Sequence, residues 1–261
     1  MRRILTLLLL CGGLLSGPGW TEPLRLATFE YPPYMTNQNG HAEGLMIDLL
    51  NEVFSRMAVK VEYEFLPLAR AINDVQYGQV DGLFTLKKTA TREQLLTYPL
   101  SMLLRQDYHF FTLKNSEFSF DGNLQAVAPY SIGLLNKASY GRLFDDAVKS
   151  HTLTRLDYAN SHMQSFKKLL GHRLDAVICS KQVGLALIHH LHAEDQIKIS
   201  GPKVSQEGSY IVFTRQRDFT RLAHRFDQTL ISVIQDGTYA RIMHQYPADQ
   251  ISAPTTLSPA H

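Results

Sequence analysis

Hydrophobic and polar positions along the chain follow two periods that succeed one another. Residues 24–29 form a run suited to a buried strand, and it ends at a proline-marked loop, Tyr31-Pro32-Pro33-Tyr34. A polar turn over residues 37–40 leads into Gly44-Leu45-Met46-Ile47-Asp48-Leu49, after which apolar positions recur at helical spacing through Phe54 and Met57. Residues 59–65 then alternate apolar and charged side chains, as a half-buried strand does. Strand, helix, strand in this rhythm predicts an α/β chain with largely parallel sheets.

One pattern occurs twice. Residues 70–77 read as a helix closed by Gly78, and Asp81 leads into the apolar Gly82-Leu83-Phe84. Downstream, residues 164–170 read as a helix closed by Gly171, and Asp175 leads into Ala176-Val177-Ile178. In both copies the glycine suits the left-handed position that ends a helix. Any α/β fold contains helix-Gly-strand joints, but two such copies predict two similar lobes. Two extended segments connect them: residues 108–113 lead out of the first lobe and residues 210–213 lead back. The expected organisation is therefore lobe one over 22–107 and 206–251, with lobe two over 108–205 between them. An amphipathic helix over 219–234, an interruption at Gly237 and a short last helix over 239–246 complete lobe one. Residues 252–261, rich in Pro, Ser and Thr, are expected to form a flexible tail.

The N-terminus changes the picture of where this protein works. Arg2 and Arg3 precede an apolar run over residues 4–10, and small residues (Gly12, Gly13, Ser16, Gly17) follow before the first acid, Glu22. That order predicts a secretory signal peptide over 1–21, cleaved between Gly17 and Thr21, and hence a periplasmic protein. Cys11 lies inside the apolar run, so simple cleavage fits better than lipidation. Cleavage takes two arginines from the 26 Lys and Arg and no acid from the 24 Asp and Glu, leaving a formally neutral chain. Neutrality argues against nucleic acid as a partner. Cys179 would be the sole remaining thiol, so no internal disulfide can form and stability must come from packing. The remaining length of about 240 residues suffices for two linked cores.

In its order of elements the chain resembles the bacterial extracellular solute-binding proteins of family 3, the type II periplasmic binding proteins that include polar amino acid receptors. Six segments carry the resemblance: Tyr31-Pro32-Pro33-Tyr34, Gly44-Leu45-Met46-Ile47-Asp48-Leu49, Gly78-Gln79-Val80-Asp81-Gly82, Thr89-Ala90-Thr91-Arg92-Glu93, Leu174-Asp175-Ala176-Val177 and Asp236-Gly237-Thr238-Tyr239. It implies two α/β lobes joined by two hinge crossovers, with a ligand cleft between them. It further implies capture of a small carboxylate, an amino acid or an amino-acid-like compound, for an inner-membrane ABC permease. A monomer with no cofactor is expected.

The resemblance also nominates binding residues. Arg92 matches the carboxylate-binding arginine, a role for which the guanidinium is suited because it offers two parallel charge-assisted hydrogen bonds. Read without the motif, it is a surface arginine. Thr85 and Leu86, at the end of the preceding strand, match positions that meet ligand through hydroxyl and backbone groups. Ser139 is the counterpart from lobe two, either as a contact at a helix start or as an ordinary N-cap. Tyr31 and Leu68 match the pair that encloses a ligand side chain, with leucine where many members have an aromatic; otherwise both are packing residues.

The departure is Ser180. Five residues after Asp175, amino-acid-binding members commonly place an aspartate that holds the ligand ammonium, and this chain has serine. Burying an ammonium without a carboxylate costs roughly several kcal/mol. Either another acid replaces it, with Glu30 beside Tyr31 the candidate, or the ligand is not a standard α-amino acid. Cys179 reads as a small buried residue at a strand end. His189 and His192 share a helical face beside His190, but no Cys or paired acid completes a metal set, so no metal is expected. The chain lacks HExxH, G-x-S-x-G, P-loop and Rossmann signatures, and no enzymatic activity is expected. The alternatives are a sensory ligand-binding protein docking on a receptor, or a dehydratase-like enzyme on the same fold that uses Glu30 as acid.

Overall fold

The computed structural model describes residues 22–246, so the expected signal peptide and the 252–261 tail lie outside the described residues. The chain runs β1 (Leu24–Thr28), β2 (Thr36–Gln38), β3 (His41–Glu43), α1 (Leu45–Arg56), β4 (Val61–Phe65), α2 (Leu68–Gln76), β5 (Gly82–Leu86), α3 (Ala90–Leu95), β6 (Leu96–Thr97) and β7 (Leu104–Leu113). A 3-10 turn over Leu124–Val127 follows. Then come β8 (Ile132–Leu135), α4 (Arg142–Lys149), β9 (Leu156–Ala159), α5 (His162–Leu170), β10 (Ala176–Ser180), α6 (Lys181–His190), β11 (Ile197–Thr214), α7 (Thr220–Gln235) and α8 (Thr238–His244). The polar turn expected at residues 37–40 is the tip of the β2–β3 hairpin.

The main sheet has the order β4-β1-β5-β11-β7-β10-β8-β9. Its two ends are alike. β4, β1 and β5 run parallel, as do β9, β8 and β10, and each trio meets an antiparallel long strand. Those long strands, β7 and β11, pair with each other from Ile197↔Leu113 to Ser209↔Leu104, and beyond Ser209 β11 turns to pair with β5 and β6. The molecule is thus two α/β lobes joined through β7 and β11. The boundaries expected at 107/108 and 205/206 fall inside these two strands.

The repeated motif has the same task in each lobe. Asp81 accepts a hydrogen bond from the backbone N–H of Arg25 (2.8 Å) as β1 begins. Asp175 accepts from Ser131 N (2.7 Å) and Ser131 Oγ (2.7 Å) as β8 begins. Each aspartate therefore sets the register of two adjacent parallel strands. The helix ends differ, however. Gly78 has the expected left-handed backbone, whereas Gly171 does not (φ −82°) and the left-handed residue is His172. The second copy has one extra residue between glycine and aspartate, and this moves the turn on by one.

Packing follows from periodicity. α1 buries Met46, Leu49, Leu50, Val53 and Phe54 along its inner face and packs with α7 and α8, so both ends of the chain build lobe one. Gly44 precedes it at φ 119°, where a Cβ would sit 2.6 Å from the Tyr34 carbonyl oxygen, so only glycine fits. Lobe two has an aromatic cluster of its own around Phe110, Phe118, Phe120, Tyr140 and Phe144. Among the described residues no helix is long and apolar enough to cross a membrane.

Candidate functional site

The carboxyl ends of the parallel strands converge between the lobes, which is where open α/β sheets bind ligands. They line a narrow, partly open cleft whose cavity in this structure is about 20 Å³, room for roughly one water. Lobe one lines it with Phe29, Tyr31, Leu68, Thr85, Leu86, Lys87 and Arg92; lobe two lines it with Leu135, Ala138, Ser139, Tyr140 and His162, and Tyr108 enters from β7. Six of the eight residues nominated from sequence are therefore brought together: Arg92, Thr85, Leu86, Tyr31, Leu68 and Ser139.

A bulge in β5 aims the lobe-one edge. Leu83 stands opposite Val212 and Leu86 opposite Tyr210, so three steps along β5 match two along β11. The extra residue is accommodated at Thr85, which adopts φ 63°, unusual for a β-branched residue. Thr85 Oγ1 donates to Met35 Sδ (3.5 Å), and the chain beyond it is redirected toward the cavity. Thr89 then caps α3 by accepting from Arg92 N (3.3 Å), which sets the helical turn that carries the arginine.

Arg92 spans the cleft. Its Nη1 donates to Lys87 O (3.0 Å) and its Nη2 to Lys137 O (2.7 Å), a residue of the opposite lobe. Lys137 is itself left-handed (φ 62°), and this turns its carbonyl toward the guanidinium. Lys87, buried at 9% exposure, donates to the Tyr108 hydroxyl, and its Nζ lies 3.8 Å from the Tyr108 ring centre. Burial, with the nearby Arg92 charge, lowers its pKa to about 7; Glu207 and Asp145 oppose the shift. Burial also lowers the Arg92 pKa, but a guanidinium stays charged.

Behind these cations a buried network ties the hinge to the site. Tyr31 and Tyr108 share a hydrogen bond between hydroxyls (3.1 Å), and Gln106 Nε2 donates to Tyr31 Oη (3.2 Å) and to Ser180 Oγ (3.4 Å). Ser209 Oγ donates to Gln106 Oε1 (2.7 Å). Across the cleft the His162 ring centre lies 5.7 Å from that of Tyr31, and the residue is only 3% exposed. Its Nδ1 has no hydrogen-bond partner among the described residues. Burial and the Lys87 charge lower its pKa to about 3, so the ring is neutral.

Three expectations need correction of place. Ser180 is fully buried at the end of β10, behind Tyr31 and within the Gln106 network, and does not line the cavity. Glu30 is exposed; it accepts from Asn37 N (3.0 Å) and faces a neighbouring groove with Pro67, Asn160 and Gln164. The alternation of strand and loop sends Tyr31 inward and Glu30 outward. Ser139 lines the cavity but is not an N-cap: Gly141 occupies that position, and the Ser139 hydroxyl donates to Asp145. Gly141 suits that position because its φ of 94° is one that side-chain-bearing residues rarely adopt.

The family model of bacterial extracellular solute-binding proteins, family 3, matches residues 24–249. The chain belongs to that family. Among solved structures, a histidine kinase sensor domain with similarity to periplasmic binding proteins superposes with a TM-score of 0.78 at 14% identity, covering 87% of this chain and 96% of that one. The substrate-binding protein of an amino acid ABC transporter gives 0.73 at 18% identity, covering 86% and 98%. An ancestral arginine-binding protein bound to arginine gives 0.73 at 21%, covering 85% and 97%. Likeness at these identities establishes the fold. A search of curated proteins finds no match.

Seven lining residues of this family 3 protein escaped the reading of its sequence, among them the polar Lys87, Tyr108, Tyr140 and His162. Of these four, only Lys87 left a signal, as the neighbour of Leu86 at a strand end. Cys179 is buried with its thiol pKa pushed up by desolvation, in keeping with a packing residue. His189 is exposed and lies 2.9 Å from Glu194, and no group of three metal-ligating residues occurs among the described residues.

Proposed function

We propose that this family 3 protein captures a small carboxylate in the periplasm by closing its two lobes around it, and hands it to an inner-membrane ABC permease. The observation that carries the reading is the pairing of Arg92 with buried Lys87 on one cavity wall, where Arg92 also reaches a lobe-two carbonyl. Two cations in a low-dielectric cleft attract an anion strongly, and the guanidinium fixes its orientation. Family 3 membership supports an extracellular, binding role without catalysis, and a monomer suffices because both walls come from one chain. The sensor domain among the similar folds supports a second reading, in which the closed form docks on a receptor; both readings use the same closure.

Thermal unfolding against a panel of organic acids, amino acids, sugars and polyamines tests the proposal. A carboxylate at 100 times its Kd should stabilise the protein by about 2.7 kcal/mol. Stabilisation by sugars or polyamines alone would overturn the reading. Small-angle scattering with the same ligand should report a smaller radius of gyration. Co-purification with a permease rather than a receptor would favour transport.

A further inference from the structure

The cleft also carries information on what the carboxylate's other groups can be. Among the described residues, Arg92 and Lys87 are the only basic side chains that line it; Arg92 is a permanent cation and Lys87 is one when protonated. No acid is among the lining residues. Asp145 accepts from the Ser139 hydroxyl and from Tyr140 N (2.9 Å), so both of its oxygens are held. Glu207 packs behind Gly141, and Glu30 faces the neighbouring groove. Ser180 has no charge to offer and lies outside the lining. An ammonium in this cavity would lose its hydration, meet the Arg92 charge and find no carboxylate among the lining residues, so its binding is strongly disfavoured.

The remaining wall specifies the rest of the ligand. Phe29, Tyr31, Leu68, Leu135 and Tyr140 present apolar surface, suited to a hydrocarbon or aromatic body. His162 adds a neutral imidazole to the lining, and its Nδ1 is buried with no hydrogen-bond partner among the described residues. Buried nitrogen of this kind is costly unless something bonds to it. A neutral imidazole suits a hydroxyl or a carbonyl oxygen, because it can donate or accept according to tautomer.

We infer that the cleft takes a carboxylate without an ammonium group: a small organic acid whose carboxylate meets Arg92 and Lys87, whose body packs on the aromatic wall, and whose hydroxyl or oxo oxygen bonds His162. This rests on the reading of the cleft as a carboxylate site. His162 is then the residue that sets specificity.

Calorimetry on the full mature chain with matched compounds tests this. L-Leucine, L-phenylalanine, L-glutamine and L-arginine are each compared with the 2-oxo acid and the plain deaminated acid of the same side chain, with benzoate and 4-hydroxybenzoate added. The best 2-oxo or hydroxy acid should bind at least about 100-fold more tightly than its amino acid counterpart. His162→Phe should bring the 2-oxo and plain acids to within about threefold of each other, with the 2-oxo acid losing more affinity than the plain acid. An amino acid that binds as tightly as its 2-oxo acid would overturn the inference; if Arg92→Ala abolished that binding, carboxylate capture would stand. No binding by any of these acids would overturn both readings. An unchanged preference in His162→Phe would remove the role given to His162.

Discussion

The two lobes share a plan but meet the cleft with different chemistry. In each, three parallel strands abut a long antiparallel strand, and an aspartate before the third strand holds the start of the first in register. At the cleft the likeness ends. Lobe one offers two basic side chains, Lys87 and Arg92, at the end of a bulged strand. Lobe two offers a backbone carbonyl at Lys137, a serine already bonded to Asp145, a tyrosine and a neutral histidine. Duplicated architecture therefore does not impose duplicated chemistry: the strands are held by local rules, while the charge at their ends is free to differ. An anion should be caught by lobe one and enclosed by lobe two.

The sharpest way to break that contrast is Arg92→Ala. It removes the charged partner on the capturing lobe and should cost about 2–4 kcal/mol of ligand binding, or roughly 30- to 1000-fold in Kd by calorimetry. Wild-type affinity would show that the lobe-one cations do not hold the ligand.

Lys87→Met comes next and should act on two quantities in opposite directions. It should weaken anion binding by about tenfold, yet raise stability without ligand by about 2–4 kcal/mol in urea unfolding at pH 6, because a buried ammonium is replaced by an apolar chain of similar length. The native pKa of about 7 lies below the value of 10.5 for a free lysine. Between these values the unfolded chain binds the extra proton, so the burden on stability is full below pH 7 and fades as pH rises toward 10.5. Wild-type stability should therefore rise through that window relative to Lys87→Met. Anion affinity should fall above pH 7, where the amine is neutral before binding. A pH profile identical in the two proteins would place the proton elsewhere.

Ser139→Ala is the smallest effect. The hydroxyl hydrogen already belongs to Asp145, so removal should cost about 1 kcal/mol of stability and change ligand affinity less than about fivefold. A loss of affinity as large as that of Arg92→Ala would show that lobe two captures as strongly as lobe one.

Much of the site was within reach of the sequence because its residues stand next to local signals. Arg92 follows a capping threonine, Thr85 and Leu86 end a strand announced by Gly-x-x-Asp, and Tyr31 lies in a proline-marked loop. For Lys87 the only local signal is its place beside Leu86, and its burial is not legible, since a lysine beside another lysine ordinarily remains in water. Its burial depends on the bulge at Thr85, on Tyr108 arriving from the hinge strand, and on a second lobe built from a later stretch of the chain. His162 reads locally as the first residue of a helix after a capping serine, and nothing in that stretch reveals that it will lie against Tyr31. Ser180 and Glu30 stand outside the lining for a related reason: neighbouring positions in a strand or loop face cleft, core or surface, and the segment alone does not say which.

By itself, then, the sequence determined the elements, their grouping into two α/β lobes and the family. Periodicity, glycine turns and strand-start aspartates act over a few residues, so they are written in consecutive positions. Tertiary structure alone decided the balance of charge in the cleft: two basic side chains inside, no acid among the lining residues, and one imidazole nitrogen without a partner among the described residues. That balance depends on which side chains lose water when the lobes meet, and desolvation is a property of the assembled surface rather than of any segment.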